Sequence, residues 1–144
     1  MDLPKPIKVK AMCIIKRPKD GAVLASLGYD KIKNEHFARI IGGHVEFGET
    51  SEETLRREFR EELDTDIAEL KFIKAIENIF TYDGESSHEI VFLYSGKLGD
   101  ADIYDKESMR IIDSPDTEVR WISKADVDSG KLKIYPEYGY WESN

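Results

Sequence analysis

The octapeptide "RREFREEL", residues 56–63, carries Glu58, Glu61 and Glu62 among three arginines, with Phe59 and Leu63 between them. At about 100° per helical residue, the three carboxylates share an arc of roughly 100°. Leu55, Phe59 and Leu63 recur every four residues as an apolar stripe beside that arc, so the carboxylates stand at the margin of a core. Like charges at i,i+4, here Glu58 and Glu62, cost roughly 0.2–0.5 kcal/mol even on an exposed helix. A hard divalent cation offsets that cost, because Mg²⁺ takes oxygen ligands and keeps waters for a phosphate substrate. Arg57 lies one turn before Glu61 and can hold its carboxylate through a paired hydrogen bond. Arg56 and Arg60 point elsewhere and read as solvated charges. Taken alone, the cluster is also what an ordinary charged helix face looks like.

The segment that delivers the chain into this helix changes the reading. "GGHVEFGET", residues 42–50, supplies Gly42, Gly43 and Gly48. Glycine lets a ligand approach the main chain closely, and a helix N-terminus offers free N–H groups to anions. A phosphate site beside a carboxylate metal site follows.

The elements that must position these residues are legible in outline. "KVKAMCII", 8–15, and "AVLASL", 22–27, read as strands, with Pro18, Asp20 and Gly21 turning the chain between them. "DKIKNEHF" reads as a surface loop. "ARIIGGHVEF" reads as a short strand, a break at Gly42-Gly43, and another short strand. Residues 51–63 form the main helix, with Thr50 as N-cap and Glu53 completing a capping box. Residues 67–82, 88–98 and 117–122 are strand-like, and 123–130 is a short helix capped by Ser123. The final stretch, with Tyr135, Tyr138, Tyr140 and Trp141, is aromatic and irregular. The pattern is a mixed α/β (α+β) fold, a mixed sheet flanked by helices.

A chain of 144 residues, 40% hydrophobic and 35% charged, fits one folded domain, 1–144, with a real core. The net charge of −8 argues against a nucleic-acid partner. A small anionic substrate stays compatible, because a bound divalent metal reverses the local field. No apolar run approaches the roughly 18–20 residues of a membrane span, and the first residues lack a signal-peptide core. The single cysteine, Cys13, sits in an apolar run as a small core residue. These features point to the cytoplasm, without a membrane partner.

The constellation resembles the Nudix (MutT-like) box. That pattern runs glycine, five residues, glutamate, seven residues, Arg-Glu, a large apolar residue, any residue, Glu-Glu, any residue, glycine and an aliphatic residue. Here it reads Gly43, Glu49, Arg57-Glu58, Phe59, Arg60, Glu61-Glu62, Leu63, Asp64, Thr65. Every charged position is present at its spacing. Asp64 stands where a glycine ends the helix in a left-handed conformation, and Thr65 where an aliphatic residue is usual.

The resemblance implies a Nudix fold, a mixed β-sheet sandwiched between helices. It implies that Glu58, Glu61 and Glu62 ligate the metal, with Glu61 and Glu62 the essential pair and the Gly43 carbonyl a further ligand. Arg57 would orient the glutamates and Glu49 would brace loop and helix. Gly42 and Gly43 would lie against the substrate, and Glu46 would touch a further metal. The implied cofactor is Mg²⁺, or Mn²⁺ in its place. The implied reaction is hydrolysis of a nucleoside diphosphate linked to another group by metal-activated water.

Substrate choice lies outside the box. In some Nudix subgroups a residue after the box correlates with substrate: a proline in ADP-ribose hydrolases, a tyrosine in diadenosine polyphosphate hydrolases. No proline falls between Thr65 and Tyr82, and Tyr82 is about where the tyrosine would be. Tyr82 can stack on a base, or alternate with Phe80 as plain strand packing. Glu89 and Glu107 are candidate general bases, each also readable as a surface carboxylate. His88 is a candidate phosphate contact, or a structural histidine. The aromatic tail suits a pocket wall or a homodimer interface. The alternative to an enzyme is a catalytically silent nucleotide-binding module on the same fold.

Overall fold

The computed structural model describes residues 4–142. The chain alternates strands and two helices in the order β1 (Lys8–Ile15), β2 (Val23–Asp30), β3 (Glu35–His44), α1 (Ser51–Leu63), β4 (Ile67–Tyr82), β5 (Glu85–Leu98). A 3-10 turn at Ala101–Asp105 leads to β6 (Ser108–Ile111), β7 (Ser114–Ile122), α2 (Lys124–Asp128) and β8 (Lys133–Tyr135). The strands join into one mixed sheet in the order β4-β5-β1-β3-β2-β7-β6, with β8 paired to β3. β1 runs parallel to β5 and β8 parallel to β3, and the other pairs are antiparallel. Among the described residues no helix is long and apolar enough to cross a membrane.

The two helices pack on two core clusters. Leu55, Phe59 and Leu63 of α1 bury the expected stripe against Ala11, Cys13 and Ile41. Val127 of α2 packs on a second cluster built from Met12, Ile14, Ala38, Ile40, Val91 and Leu93. Full burial of a side chain such as Phe59 contributes roughly 1.5–3 kcal/mol, which anchors the helix that carries the carboxylates. Its start is fixed by the capping box: Glu53 N donates to Thr50 Oγ1 (3.2 Å) and Thr50 N donates to Glu53 Oε1 (3.0 Å). Its end is fixed by Asp64 in the left-handed region (φ 50°), whose N–H reaches the carbonyls of Arg60 and Phe59.

Three expectations change. The Gly42-Gly43 pair does not break a strand: β3 runs unbroken to His44, pairing first with β2 and β8, then with β1 from Ile41 onward. A Cβ at Gly42 would overlap the Ala11 carbonyl oxygen and come within 2.7 Å of Met12 Cα, so glycine here serves close strand approach. The segment read as a surface loop is a hairpin turn at 31–34 flanked by the end of β2 and the start of β3. Two short strands, β6 and β8, each burying one isoleucine, stand where only loops were read.

The long β2–β3 and β4–β5 hairpins meet at their tips. Asp30 Oδ2 accepts from Asp83 N (2.9 Å), and Lys33 Nζ donates to the Thr81 carbonyl (2.7 Å). Their inner faces enclose a cleft that opens toward the α1 carboxylates.

Candidate active site

Arg57 is the organising side chain. Its Nε and Nη2 donate to Glu49 Oε2 and Oε1 at 2.7 and 2.9 Å, a paired ionic grip. Nη1 donates to Glu58 Oε1 at 2.9 Å and, more distantly, to Glu61 Oε2 at 3.4 Å. Nη2 also donates to the His44 carbonyl at 3.1 Å and lies 3.7 Å from Glu46. The paired bond expected toward Glu61 is therefore made to Glu49, because the 45–50 loop folds back over α1 and brings Glu49 edge-on to the guanidinium.

Glu49 also accepts from Glu46 N and Thr54 Oγ1. The Arg57 guanidinium holds its carboxyl down at about 2, with burial opposing and the Glu46 N–H and Thr54 hydroxyl assisting. Glu49 and its partners thus tie loop, strand end and helix into one rigid corner. Gly48 makes the corner with φ +90°.

Glu58 and Glu62 line a cavity of 270 Å³ together with Gly42, Gly43, Lys10 and Arg39. The Glu58 carboxyl lies directly on the Gly43 backbone, where any Cβ would overlap it. Glu62 is pushed up to about 9, chiefly by burial, then by its hydrogen bond to Glu58 and by the charges of Glu58, Asp113 and Glu61. Glu61 stands apart from the cavity lining, with its side chain 49% exposed and tethered only through Arg57.

This donor set fits a hard divalent cation. Among the described residues no three His, Cys, Asp or Glu side chains converge as a ready cage. Mg²⁺ does not need one: it is commonly held through one or two carboxylates, with waters and substrate phosphates completing the octahedron. The Glu58 and Glu62 carboxyls, facing one cavity beside the Gly43 backbone, mark where such a charge fits.

A second cavity, 380 Å³, adjoins the first through Lys10, Ser26 and Arg39, which line both. Tyr82 is on its wall, with its ring edge-on to Phe37, and Phe80 and Tyr135 complete an aromatic lining. Tyr138, Tyr140 and Trp141 lie elsewhere, packed in the second core cluster, with Tyr140 Oη donating to the Pro136 carbonyl.

Glu89 corrects its plainer reading. It is 2% exposed rather than a surface carboxylate, clamped by Lys10 Nζ and Arg39 Nη2, each at 2.5 Å. Glu107 is exposed and lines neither cavity, and His88 lines neither. Lys10 and Arg39 went unnoticed in the sequence: Lys10 follows Lys8 in "KVKAMCII", and only Arg39, the single cation of "ARIIGG", stands out.

The fold, the glycine corner and the carboxylate helix define one class of protein. The NUDIX domain family matches residues 6–141, and the chain belongs to that family. Members hydrolyse pyrophosphate linkages with the help of divalent cations. Among solved structures, a NUDIX hydrolase from Nitrosomonas europaea superposes with a TM-score of 0.59 at 17% identity, covering 88% of this chain and 78% of its own. The E. coli ORF135 protein superposes with a TM-score of 0.51 at 19% identity, covering 90% of this chain and 81% of its own. At these identities the likeness is one of fold.

Proposed function

We propose that this protein is a Mg²⁺-dependent pyrophosphohydrolase that cleaves a nucleoside diphosphate linked to another moiety. The observation that carries this reading is the Glu58–Glu62 pair on the Gly43 backbone, opening into an aromatic cleft of nucleoside size.

Glu58 and Glu62, with the Gly43 carbonyl, would hold the cation, and Mn²⁺ would suit the same oxygens. Once bound, the cation neutralises diphosphate oxygens and acidifies a coordinated water. The chain's own residues do the rest. Arg57, locked on Glu49, fixes Glu58 and tethers Glu61. Gly42 and Gly43 leave the backbone bare, so a diphosphate can lie against it. Tyr82, Phe37 and Phe80 offer rings for a base.

In the reaction, a water oxygen bonds to one phosphorus of the P–O–P linkage. The bridging P–O bond breaks, and its electron pair leaves with the other phosphate. Glu61, half exposed and held by one long hydrogen bond to Arg57, is the box carboxylate free to swing toward the water and take its proton.

The test is product analysis by ion-exchange chromatography. The protein is incubated with Mg²⁺ and pools of nucleoside triphosphates, oxidised nucleotides, dinucleoside polyphosphates and nucleotide sugars. Cleavage to a nucleoside mono- or diphosphate supports the reading and names the bond. A folded, Mg²⁺-binding protein that cleaves none of them would leave a nucleotide-binding module instead.

A further inference from the structure

The two cavities meet at a buried ion triad that the Nudix box does not include. Glu89 receives Lys10 on one oxygen and Arg39 on the other. Two cations on one buried carboxylate leave a net positive charge on the cavity wall, largely withdrawn from water, with Lys10 12% and Arg39 28% exposed. Such a charge is costly unless an anion completes it.

Arg39 is built to receive one. Its guanidinium lies 5.6 Å from the Phe80 ring centroid, which holds its plane while leaving edge donors free. Its Nη2 is taken by Glu89, but its Nε is buried with no hydrogen-bond partner. A buried orphan donor on a planar fork matches the paired oxygens of a phosphate group.

We propose that Arg39, assisted by Lys10, docks the phosphate next to the nucleoside, and that Glu89 is the positioning residue that holds both cations until that phosphate arrives. This rests on the nucleotide reading given above. The order along the site is then fixed: base among Phe37, Phe80 and Tyr82, first phosphate on Arg39, scissile linkage over Glu58 and Glu62. The leaving moiety projects outward past Glu61. The site thereby selects for a phosphate directly attached to the nucleoside and is permissive about the group beyond the linkage.

The experiment is calorimetry of the full chain with inorganic pyrophosphate in EDTA, where no metal contributes. Wild type should bind, and Arg39→Ala should bind at least tenfold more weakly. The double variant Arg39→Ala/Glu89→Gln removes one charge of each sign, so it guards against misfolding of the single variant. It should melt near wild type and bind equally weakly. Glu89→Gln alone should bind pyrophosphate more tightly than wild type, since it no longer competes for Arg39, and unchanged affinity would count against Glu89 as the holding residue. A purely structural triad would not produce that tightening. Pyrophosphate binding that is absent in wild type, or unchanged in both Arg39 variants, would overturn the proposal. If Arg39-dependent binding holds while no panel substrate is cleaved, the hydrolase reading fails and the docking site stands.

Discussion

Arg57 and Glu49, eight residues apart, grip each other through two parallel hydrogen bonds of 2.7 and 2.9 Å. That pair closes the loop between strand β3 and helix α1. It leaves the remaining guanidinium nitrogen for Glu58 and Glu61. Helix α1 and the glycine corner are therefore one mechanical unit.

Acid should loosen that unit at a defined place. Glu49 sits at about 2 against an ordinary value of 4.5. Its contribution to stability is complete above 4.5 and is lost as pH falls through about 2. Thermal melts of wild type from pH 6 to about 2 should show this loss, and Arg57→Ala should flatten it. Arg57→Lys, which cannot make the paired grip, should lose activity by about tenfold or more.

Glu62 gives the opposite sign. Without metal its native value is about 9 against 4.5 ordinarily. The native state then holds a proton that the unfolded chain releases, so stability in EDTA should fall as pH rises through that interval. Metal must expel this proton, so Mg²⁺ affinity should rise with pH over the same interval. Calorimetry in buffers of different ionisation enthalpy should register proton release near neutrality. An affinity independent of pH would remove the Glu58–Glu62 pair as the metal site.

The adjacent glycines should behave differently. Gly42→Ala collides with the β1 backbone at Ala11 and Met12 and should destabilise the fold by about 1–3 kcal/mol. Gly43→Ala collides with the Glu58 carboxyl, the movable end of a side chain. It should melt closer to wild type yet lose metal affinity. Melting temperature and Mg²⁺ titration on the two variants separate these roles.

Asp64→Gly should stabilise. Asp64 holds a left-handed conformation at φ 50°. Relief of that strain exceeds the extra freedom glycine gives the unfolded chain, for a gain of about 0.5–1 kcal/mol. A melt with no gain would mean that the 3.6 Å contact to Arg60 outweighs the strain.

What was legible in the sequence was what depends on local rules. The α1 stripe and the Thr50–Glu53 box follow from spacing and propensity along a few residues, and the left-handed Asp64 follows from its place at the glycine position of the Nudix box. The Arg57–Glu49 grip did not, because i,i+4 reasoning on a helix points Arg57 to Glu61 and knows nothing of a loop folding back. Glu89 was misjudged for a related reason. It alternates with Val91 and Leu93, both fully buried, and that two-residue period would have placed it inside. Its partners, Lys10 and Arg39, come from strands far away in sequence, so nothing local announced the triad. The unbroken β3 was misread because glycine pairs usually mark turns, whereas here the missing side chains let two strands touch.

If the α1 carboxylates drive metal-assisted hydrolysis, Glu61→Gln must disable it. Wild type and variant would be assayed side by side on the same nucleotide panel, with Mg²⁺ and with EDTA, alongside thermal melts. The expected result is cleavage by wild type only with Mg²⁺, and a loss of about 10²–10⁴-fold in Glu61→Gln at an unchanged melting temperature. Equal rates in the two proteins, or full activity in EDTA, would contradict it.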